Sequence, residues 1–119
     1  MKVLVADDDL DQLTLRCLIL EKNGFETIQA RDSATALKLT RLEKPECAVV
    51  DLRFPTEESG LKLLRDLKAL DQAIRLVLLT GVPCKSVPAQ ARDAADETVE
   101  KSSGTSALVS KLNGLLRVK

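Results

Sequence analysis

The sequence predicts a single α/β domain, residues 1–119, built on a doubly wound parallel sheet of five strands. Short apolar segments alternate five times with longer segments whose leucines recur at helical spacing, and this alternation is typical of parallel strands joined by helices. Right-handed crossovers favour the strand order 2-1-3-4-5. The length of 119 residues fits one domain, and a content of 45% hydrophobic and 30% charged residues is an ordinary globular balance.

The five strands are predicted from short runs that mostly end at a polar residue. They are residues 3–6, 25–29, 47–50, 74–79 and 96–100. The first, third and fourth runs are apolar and rich in valine, leucine or isoleucine, as expected of strands buried on both faces. The second run is weaker, and the fifth is polar, which indicates a position nearer the edge of the sheet.

The first two helices are predicted from apolar residues at helical spacing. These residues are Leu10, Leu13, Cys17 and Leu20 in the first helix, and Leu37, Leu39 and Leu42 in the second. The candidate N-caps are Asp8 or Asp9 for the first helix and Asp32 or Ser33 for the second. Asn23-Gly24 ends the first helix and Pro45 ends the second.

The remaining helices differ in strength. The third and fifth have clear apolar stripes: Leu61, Leu64, Leu67 and Leu70 in the third, and Leu108, Leu112, Leu115 and Leu116 in the fifth. Pro83 and Pro88 restrict the fourth helix to a short segment, residues 88–94, because proline disrupts a helix interior.

The composition excludes several classes of function. The chain has no histidine, which removes imidazole bases and histidine metal ligands. Two aromatic residues and a formal net charge of zero argue against binding to nucleic acid or to an anionic membrane. Cys17, Cys47 and Cys84 are odd in number and widely spaced, as expected of free thiols in a reducing cytoplasm. The apolar runs are too short to span a bilayer.

Polar side chains follow four of the predicted strands. In a sheet of this order, ligands bind beyond the carboxyl ends of the strands, at the switch between strands one and three. Asp7 and Asp8 follow strand one, Asp51 follows strand three, Thr80 follows strand four and Lys101 follows strand five. Each residue alone is an ordinary turn or surface residue, but their convergence at one edge is unusual.

Three crowded carboxylates repel one another, and a divalent cation relieves that repulsion. Oxygen ligands with open water positions suit Mg²⁺. Because the cation holds Asp51 ionised, its carboxylate becomes a candidate nucleophile toward phosphorus. Lys101 is then placed to neutralise one oxygen of a transferring phosphoryl group, and Thr80 to hydrogen-bond another.

Four segments together resemble the receiver domain of two-component response regulators. They are residues 3–9 (Val-Leu-Val-Ala-Asp-Asp-Asp), 48–55 (Ala-Val-Val-Asp-Leu-Arg-Phe-Pro) with Gly60, 77–81 (Val-Leu-Leu-Thr-Gly) and 99–101 (Val-Glu-Lys). Each motif alone is weak, but their order and spacing across the whole chain are specific. The resemblance, to receivers of the chemotaxis type, implies a flavodoxin-like (βα)₅ fold.

The resemblance also implies roles for the residues. Asp51 would be the phosphoacceptor, Thr80 the switch hydroxyl and Lys101 the phosphate-binding lysine. Asp7 and Asp8 would bind Mg²⁺ together with Asp51 and the backbone carbonyl of Arg53. A histidine kinase or a histidine phosphotransfer protein would donate the phosphoryl group, and the domain would catalyse only its own phosphorylation and dephosphorylation. Phosphorylation would reshape the face made by helix four, strand five and helix five in a monomer or weak homodimer.

Two departures from the family pattern lie beside the predicted pocket. The loop at residues 55–60 is one residue longer than usual and carries Glu57 and Glu58, which we expect to be solvated. The side chain of Arg53 stands where the family influences dephosphorylation. It is long enough to reach the phosphate or to pair with either glutamate.

Three further departures fall on the expected output face. Thr98 replaces the usual Tyr or Phe and cannot fill the same volume. Ser102 replaces the proline after the lysine, so a cis bond is not expected there, and the lysine is expected to be held more loosely. The restricted fourth helix with Pro83 and Pro88 is the third. We therefore expect phosphorylation chemistry with atypical output coupling.

Two other functions compete with this interpretation. A receiver-shaped interaction module that works without phosphorylation is favoured by Thr98 and Ser102 and opposed by the complete acidic pocket. A haloacid-dehalogenase-like phosphatase also uses an Asp nucleophile, Mg²⁺ and a lysine. Its motif requires Thr or Val where this chain has Asp11, and the chain lacks the later acidic pair and a cap domain.

Overall fold

The structure is a computed structural model that describes residues 1–117. At residues 105, 116 and 117 it describes the backbone and not the side chain. Five parallel strands form one sheet in the order β2-β1-β3-β4-β5, as the sequence predicts. The strands are Lys2–Ala6 (β1), Glu26–Ala30 (β2), Cys47–Asp51 (β3), Arg75–Thr80 (β4) and Glu97–Glu100 (β5). No helix within residues 1–117 has both the length and the apolar character needed to cross a membrane.

Five α-helices connect and cover these strands. They are Leu10–Lys22 (α1), Ser33–Glu43 (α2), Glu57–Leu70 (α3), Ala89–Ala94 (α4) and Thr105–Arg117 (α5), with 3-10 turns at Cys84–Ser86 and Lys101–Ser103. Asp9, Asp32 and Thr56 cap α1, α2 and α3, each by accepting the backbone N–H three residues later. The short fourth helix is confirmed, since α4 begins directly after Pro88.

The central strands divide the core into two layers because successive side chains point to opposite faces. Leu4, Val50 and Leu78 pack on one face, against α2, α3 and α4. Val5 and Val49 pack on the other, against α1 and α5. Both faces of β1, β3 and β4 are therefore dry, which explains why these strands read as unbroken apolar runs.

Several predicted helix stripes are wrong at individual positions. Leu10, Leu42 and Leu70 are exposed, at 48%, 68% and 37% respectively, while α2 buries Ala36 and Thr40 instead. A small residue at the contact lets a helix lie closer to the sheet, and a pattern of leucines does not reveal where that contact falls. In α5, Leu108 and Leu112 are buried, and the side chain of Leu116 lies outside the described part.

The segment after β3 also differs from the prediction. The predicted loop at residues 55–60 is mostly helix, because Thr56 caps α3 and Glu57 and Glu58 form its first turn. Gly60 lies so close to the preceding loop that a Cβ there would overlap the carbonyl oxygen of Leu52. This close approach requires glycine, and it fixes the start of α3 beside the end of β3.

Candidate functional site

The register of the central strands aligns their carboxyl ends. Ala6 lies beside Val50, and Asp51 lies beside Leu79. The side chains that follow these strands therefore meet at one edge of the sheet, as the sequence predicts. Asp7 and Thr80 have no exposed surface, and Asp51 is 7% exposed.

Three carboxylates form the centre of this edge. One oxygen from each of Asp7, Asp8 and Asp51 lies within 4.8 Å of the other two, and only Asp8 is exposed. Burial raises the pKa of Asp51 above its ordinary value, and the negative charge of Asp7 adds to this, while Lys101 opposes it. Hard carboxylate oxygens at such spacing fit a divalent cation such as Mg²⁺, which would offset the repulsion.

Lys101 enters the same site from the end of β5, the edge strand next to β4. Its Nζ donates to Oδ2 of Asp51 at 2.7 Å, and the lysine side chain is 29% exposed. The 3-10 turn at Lys101–Ser103 follows β5 directly, and the ammonium reaches the carboxylate from there. The looser hold expected from Ser102 stays a prediction. Among the described residues the one cis peptide bond is Phe54–Pro55, so the bond before Ser102 is trans as predicted.

Thr80 lies beside the acidic centre but is engaged with its own turn. Its hydroxyl donates to the carbonyl of Val82 at 3.2 Å and accepts the N–H of Val82 at 3.1 Å. Thr80, Asp51 and Lys101 line one open cavity of about 230 Å³. The cavity exceeds several water volumes and leaves room for a phosphoryl-sized group over the Asp51 carboxylate.

Arg53 contributes its backbone and its side chain in different directions. Its N–H donates to Oδ1 of Asp51 at 3.2 Å. Its guanidinium is 71% exposed and lies 4.0 Å from the carboxylate of Glu57, one helical turn away. The sequence left two possibilities for this side chain, contact with a phosphate or pairing with a glutamate, and in the structure it pairs with Glu57. Glu57 also borders the cavity.

Sequence reasoning missed Arg16, which enters the acidic centre from α1. Its guanidinium donates to Oδ2 of Asp7 at 2.8 Å, and both side chains are nearly dry, at 12% and 1% exposed. Gln12 lies between Arg16 and Lys101. Its Oε1 accepts from Nη2 of Arg16 and from Nζ of Lys101, each at 3.4 Å. The available signal was that position 16 falls within the buried stripe of α1, where an unpaired arginine is costly.

The face around β5 is built differently from the acidic centre. Thr98 is half-buried and faces away from α5, because the neighbouring Val99 packs on the α5 side. The turn after β4 is tied to β5 by Cys84, whose N–H donates to the carboxylate of Glu100 at 3.2 Å. Its Sγ lies 4.0 Å from the carbonyl of Thr98. The helices and strand of this face, α4, β5 and α5, carry no aromatic residue of their own, since the two aromatic residues of the chain are Phe25 and Phe54.

Comparisons with known proteins agree with this geometry. The model of the response regulator receiver domain family matches residues 3–113. The polar-differentiation response regulator DivK of Brucella anthropi is 33% identical over 92% of this chain and 81% of its own length. A response regulator of Burkholderia pseudomallei, solved with a phosphorylated aspartic acid, calcium and citrate, is 31% identical with a TM-score of 0.81. That match covers 92% of this chain and 64% of the other.

A further solved relative, TrrA of Thermotoga maritima in complex with Mg²⁺ and BeF, is 26% identical with a TM-score of 0.85 over 96% of this chain and 97% of that one. The chain spans about half the length of other curated relatives that it matches, among them the transcriptional regulatory protein PrrA of Mycobacterium tuberculosis. The strand order, the acidic edge of the sheet and the family match over residues 3–113 agree, and the chain belongs to the response regulator receiver domain family.

Proposed function

We propose that this chain is the phosphoacceptor of a two-component phosphorelay and that Asp51 carries the phosphoryl group. The observation that supports it best is the setting of Asp51. Its buried carboxylate is shared between an acidic cluster and the ammonium of Lys101, and an open cavity lies directly over it. Asp7, Asp8, Asp51 and the backbone carbonyl of Arg53 would hold Mg²⁺, which supplies neutralising charge when bound.

The chemistry is a displacement at phosphorus. An oxygen of Asp51 forms a bond to the phosphorus of a partner's phosphohistidine, and the P–N bond breaks with its electron pair returning to the partner's imidazole. The partner would be a histidine kinase or a histidine phosphotransfer protein, since this chain has no histidine. Lys101 would turn from the Asp51 carboxylate to a phosphoryl oxygen, where its charge stabilises the transferring group.

The output step involves Thr80 and the face made by α4, β5 and α5. Thr80 would exchange its hydrogen bonds with Val82 for one to a phosphoryl oxygen. Thr98 leaves this face without the ring that usually moves with the hydroxyl, and Ser102 stands where a proline usually follows the lysine. The movement would pass instead through the turn at Cys84–Ser86, which is tied to β5.

The output partner is a protein or an attached domain rather than nucleic acid or a membrane, and the chain acts in the cytoplasm as a monomer or weak homodimer.

The test is phosphorylation of the purified protein with Mg²⁺ and acetyl phosphate, followed by intact-mass and peptide mass spectrometry. We expect one base-labile adduct, located on Asp51 and lost in Asp51→Asn. Asp66→Asn, which alters an exposed ion pair on α3, is the matched control and should keep the adduct. The proposal would be contradicted if no adduct forms with acetyl phosphate and none forms with a phosphorylated histidine kinase.

A second candidate is a receiver-shaped interaction module that works without phosphorylation. The six-residue α4 and the half-buried Thr98 favour it, because both alter the face that would report phosphorylation. Binding of a partner with equal affinity to the wild type and to Asp51→Asn, in the presence and absence of phosphodonor, would support this candidate. The phosphatase alternative predicts multiple turnover of a free phosphate ester, which is supplied with Mg²⁺ in place of acetyl phosphate to test it.

A further inference from the structure

The side chain of Arg16 has no role in the phosphoryl transfer proposed above. It lies on α1, one turn after Gln12, between the buried positions Leu13 and Cys17. Its guanidinium contacts Asp7, one of the three carboxylates of the proposed metal site, at 2.8 Å. A long cation at a buried helix position is retained at a desolvation cost unless its charge is satisfied, and Asp7 satisfies it.

With this pairing, each oxygen of the Asp7 carboxylate already accepts one hydrogen bond. Oδ2 accepts from Arg16 at 2.8 Å, and Oδ1 accepts the backbone N–H of Asp9 at 2.9 Å. A divalent cation that approached Asp7 would meet a guanidinium already held by the same carboxylate. Its entry therefore competes with an existing, nearly dry ion pair, in a region where charges interact strongly.

The second cation extends this neutralisation across the site. Lys101 pairs with Asp51, and the side-chain amide oxygen Oε1 of Gln12 accepts from both Lys101 and Arg16 at 3.4 Å. Two of the three negative charges of the cluster are thus balanced by the protein's own cations. Asp8 is the exposed carboxylate of the cluster, and no protein cation is paired with it among the described residues.

We infer that Arg16 is a resident counter-cation that competes with Mg²⁺ for Asp7 and thereby sets the metal affinity of the pocket. The inference rests on the proposed function, in which Asp7 belongs to a metal site. Binding of Mg²⁺ then requires the Arg16–Asp7 contact to be released. Arg16 keeps the metal-free pocket folded and makes the metal-bound, phosphorylatable state dependent on Mg²⁺ concentration.

The opposing explanation is that Arg16 only stabilises the fold. The two explanations differ in what removal of the charge does to metal binding. A stabilising residue that does not compete leaves the Mg²⁺ dissociation constant unchanged. A competing counter-cation weakens Mg²⁺ binding, so its removal should lower the Mg²⁺ dissociation constant by on the order of tenfold. A nearby positive charge is then lost, and the buried Asp7 carboxylate is left without a partner cation.

The experiment is isothermal titration calorimetry of the full chain with MgCl₂ at constant ionic strength. We compare the wild type with Arg16→Gln, Arg16→Lys and Lys22→Gln, which removes one positive charge at the exposed far end of α1. Arg16→Gln should bind Mg²⁺ about tenfold more tightly, whereas Arg16→Lys and Lys22→Gln should stay within about twofold of the wild type. The rise in Tm on adding Mg²⁺ should also be larger for Arg16→Gln.

A second measurement uses the wild type and does not depend on the folding of a variant. The Arg16 side-chain Nε–Hε signal in an NMR spectrum, assigned with Arg16→Lys, should move as Mg²⁺ is added, because the contact to Asp7 is released. Equal dissociation constants for the wild type and Arg16→Gln, or an Arg16 signal that stays fixed while Mg²⁺ saturates the site, would overturn the inference alone. No Mg²⁺ binding in any of the proteins would overturn the proposed metal site and the inference together.

Discussion

The acidic edge of the sheet and the face made by α4, β5 and α5 are built in different ways. At the acidic edge, Asp7 and Asp51 are buried and each is paired at short distance with a cation. On the other face, β5 has four residues, α4 has six, and Thr98 is half-buried. The first region is fixed by ion pairs and by strand ends in the middle of the sheet, and the second by an edge strand and short turns.

This difference indicates which parts of a receiver are interchangeable. The phosphorylation chemistry requires charges within hydrogen-bonding distance of one oxygen, so small displacements are costly. The output face requires only two arrangements of similar free energy, and different side chains can provide them. A chain can therefore keep the first region intact while the second departs from the family pattern. The predictions below separate the two regions by the size and kind of the effect.

The largest effect is expected from removing the cation at the acidic edge. Lys101→Met keeps the length of the side chain but removes the ammonium 2.7 Å from Asp51. Phosphorylation of Asp51 should slow by about a hundredfold, equivalent to about 3 kcal/mol in the activation free energy. The measurement is the time course of adduct formation with acetyl phosphate and Mg²⁺.

The matched variant is Lys62→Met, which removes an exposed lysine from α3. It should react at the wild-type rate. Equal rates for the two variants would show that the acidic edge does not depend on Lys101, and the contrast between the two regions would fail.

The next prediction concerns the face made by α4, β5 and α5, where a substitution should lower stability and leave the rate of phosphorylation unchanged. Leu112 on α5 is fully buried, so Leu112→Ala should lower the free energy of unfolding by about 3 kcal/mol through lost burial and a cavity. Urea unfolding measures the loss. Phosphorylation well below the unfolding transition should keep its rate, because no described residue of α5 lines the cavity over Asp51.

The same substitution at exposed Leu42 is the control and should change the unfolding free energy by less than about 0.5 kcal/mol. If Leu112→Ala slows phosphorylation as strongly as Lys101→Met does, the acidic edge and the α5 face are one cooperative unit rather than two separable regions.

Much of the fold could be predicted because it depends on repeated local patterns. Buried parallel strands are apolar throughout, and each is followed by polar residues at the same edge, so the strand order and the meeting of Asp7, Asp51 and Lys101 follow from topology. The sequence does not reveal the start of α3, because its cap, Thr56, directly follows Pro55 in a segment that reads as a loop.

The Arg16–Asp7 pair could not be predicted with the same ease. It depends on how far α1 is rotated about its axis, which brings Leu13, Cys17 and Leu20 inward and leaves Leu10 exposed. That rotation is set by the packing of whole side chains against β1 and α5, and leucine spacing does not determine it. Contacts across elements therefore required the structure, whereas positions at strand ends did not.

An intermediate effect is expected where α3 meets the acidic edge. Gly60→Ala places a Cβ against the carbonyl oxygen of Leu52, so either α3 or the loop after Asp51 must shift. We expect a loss of about 2 kcal/mol in unfolding free energy together with slower phosphorylation, because Leu52 and Arg53 border the cavity. Urea unfolding and the adduct time course measure the two losses.

Gly114→Ala in α5, where a Cβ meets nothing within 4 Å, is the control and should be neutral or stabilising. If Gly60→Ala loses stability but phosphorylates at the wild-type rate, the close approach of α3 serves the fold and not the site.

The smallest effect concerns the turn that links Thr80 to β5. Cys84 is partly exposed in that turn, whereas Cys17 and Cys47 are buried, and burial raises the pKa of Cys47 to about 12. Iodoacetamide should therefore modify Cys84 first. Burial and the Glu100 carboxylate raise the pKa of Cys84 as well. Since the thiolate is the reactive form, its alkylation should accelerate as the pH rises above neutrality.

Phosphorylation should change this alkylation rate by a few-fold, because Thr80 releases Val82 and the turn carrying Cys84 moves with it. The measurement is the rate of Cys84 modification by mass spectrometry, with and without beryllium fluoride and Mg²⁺, which mimic the phosphorylated state. Asp51→Asn is the control and should show one rate under both conditions. A wild-type rate that does not respond would mean that the signal from Asp51 does not reach β5 through this turn, and the two regions would then be independent in function as well as in construction.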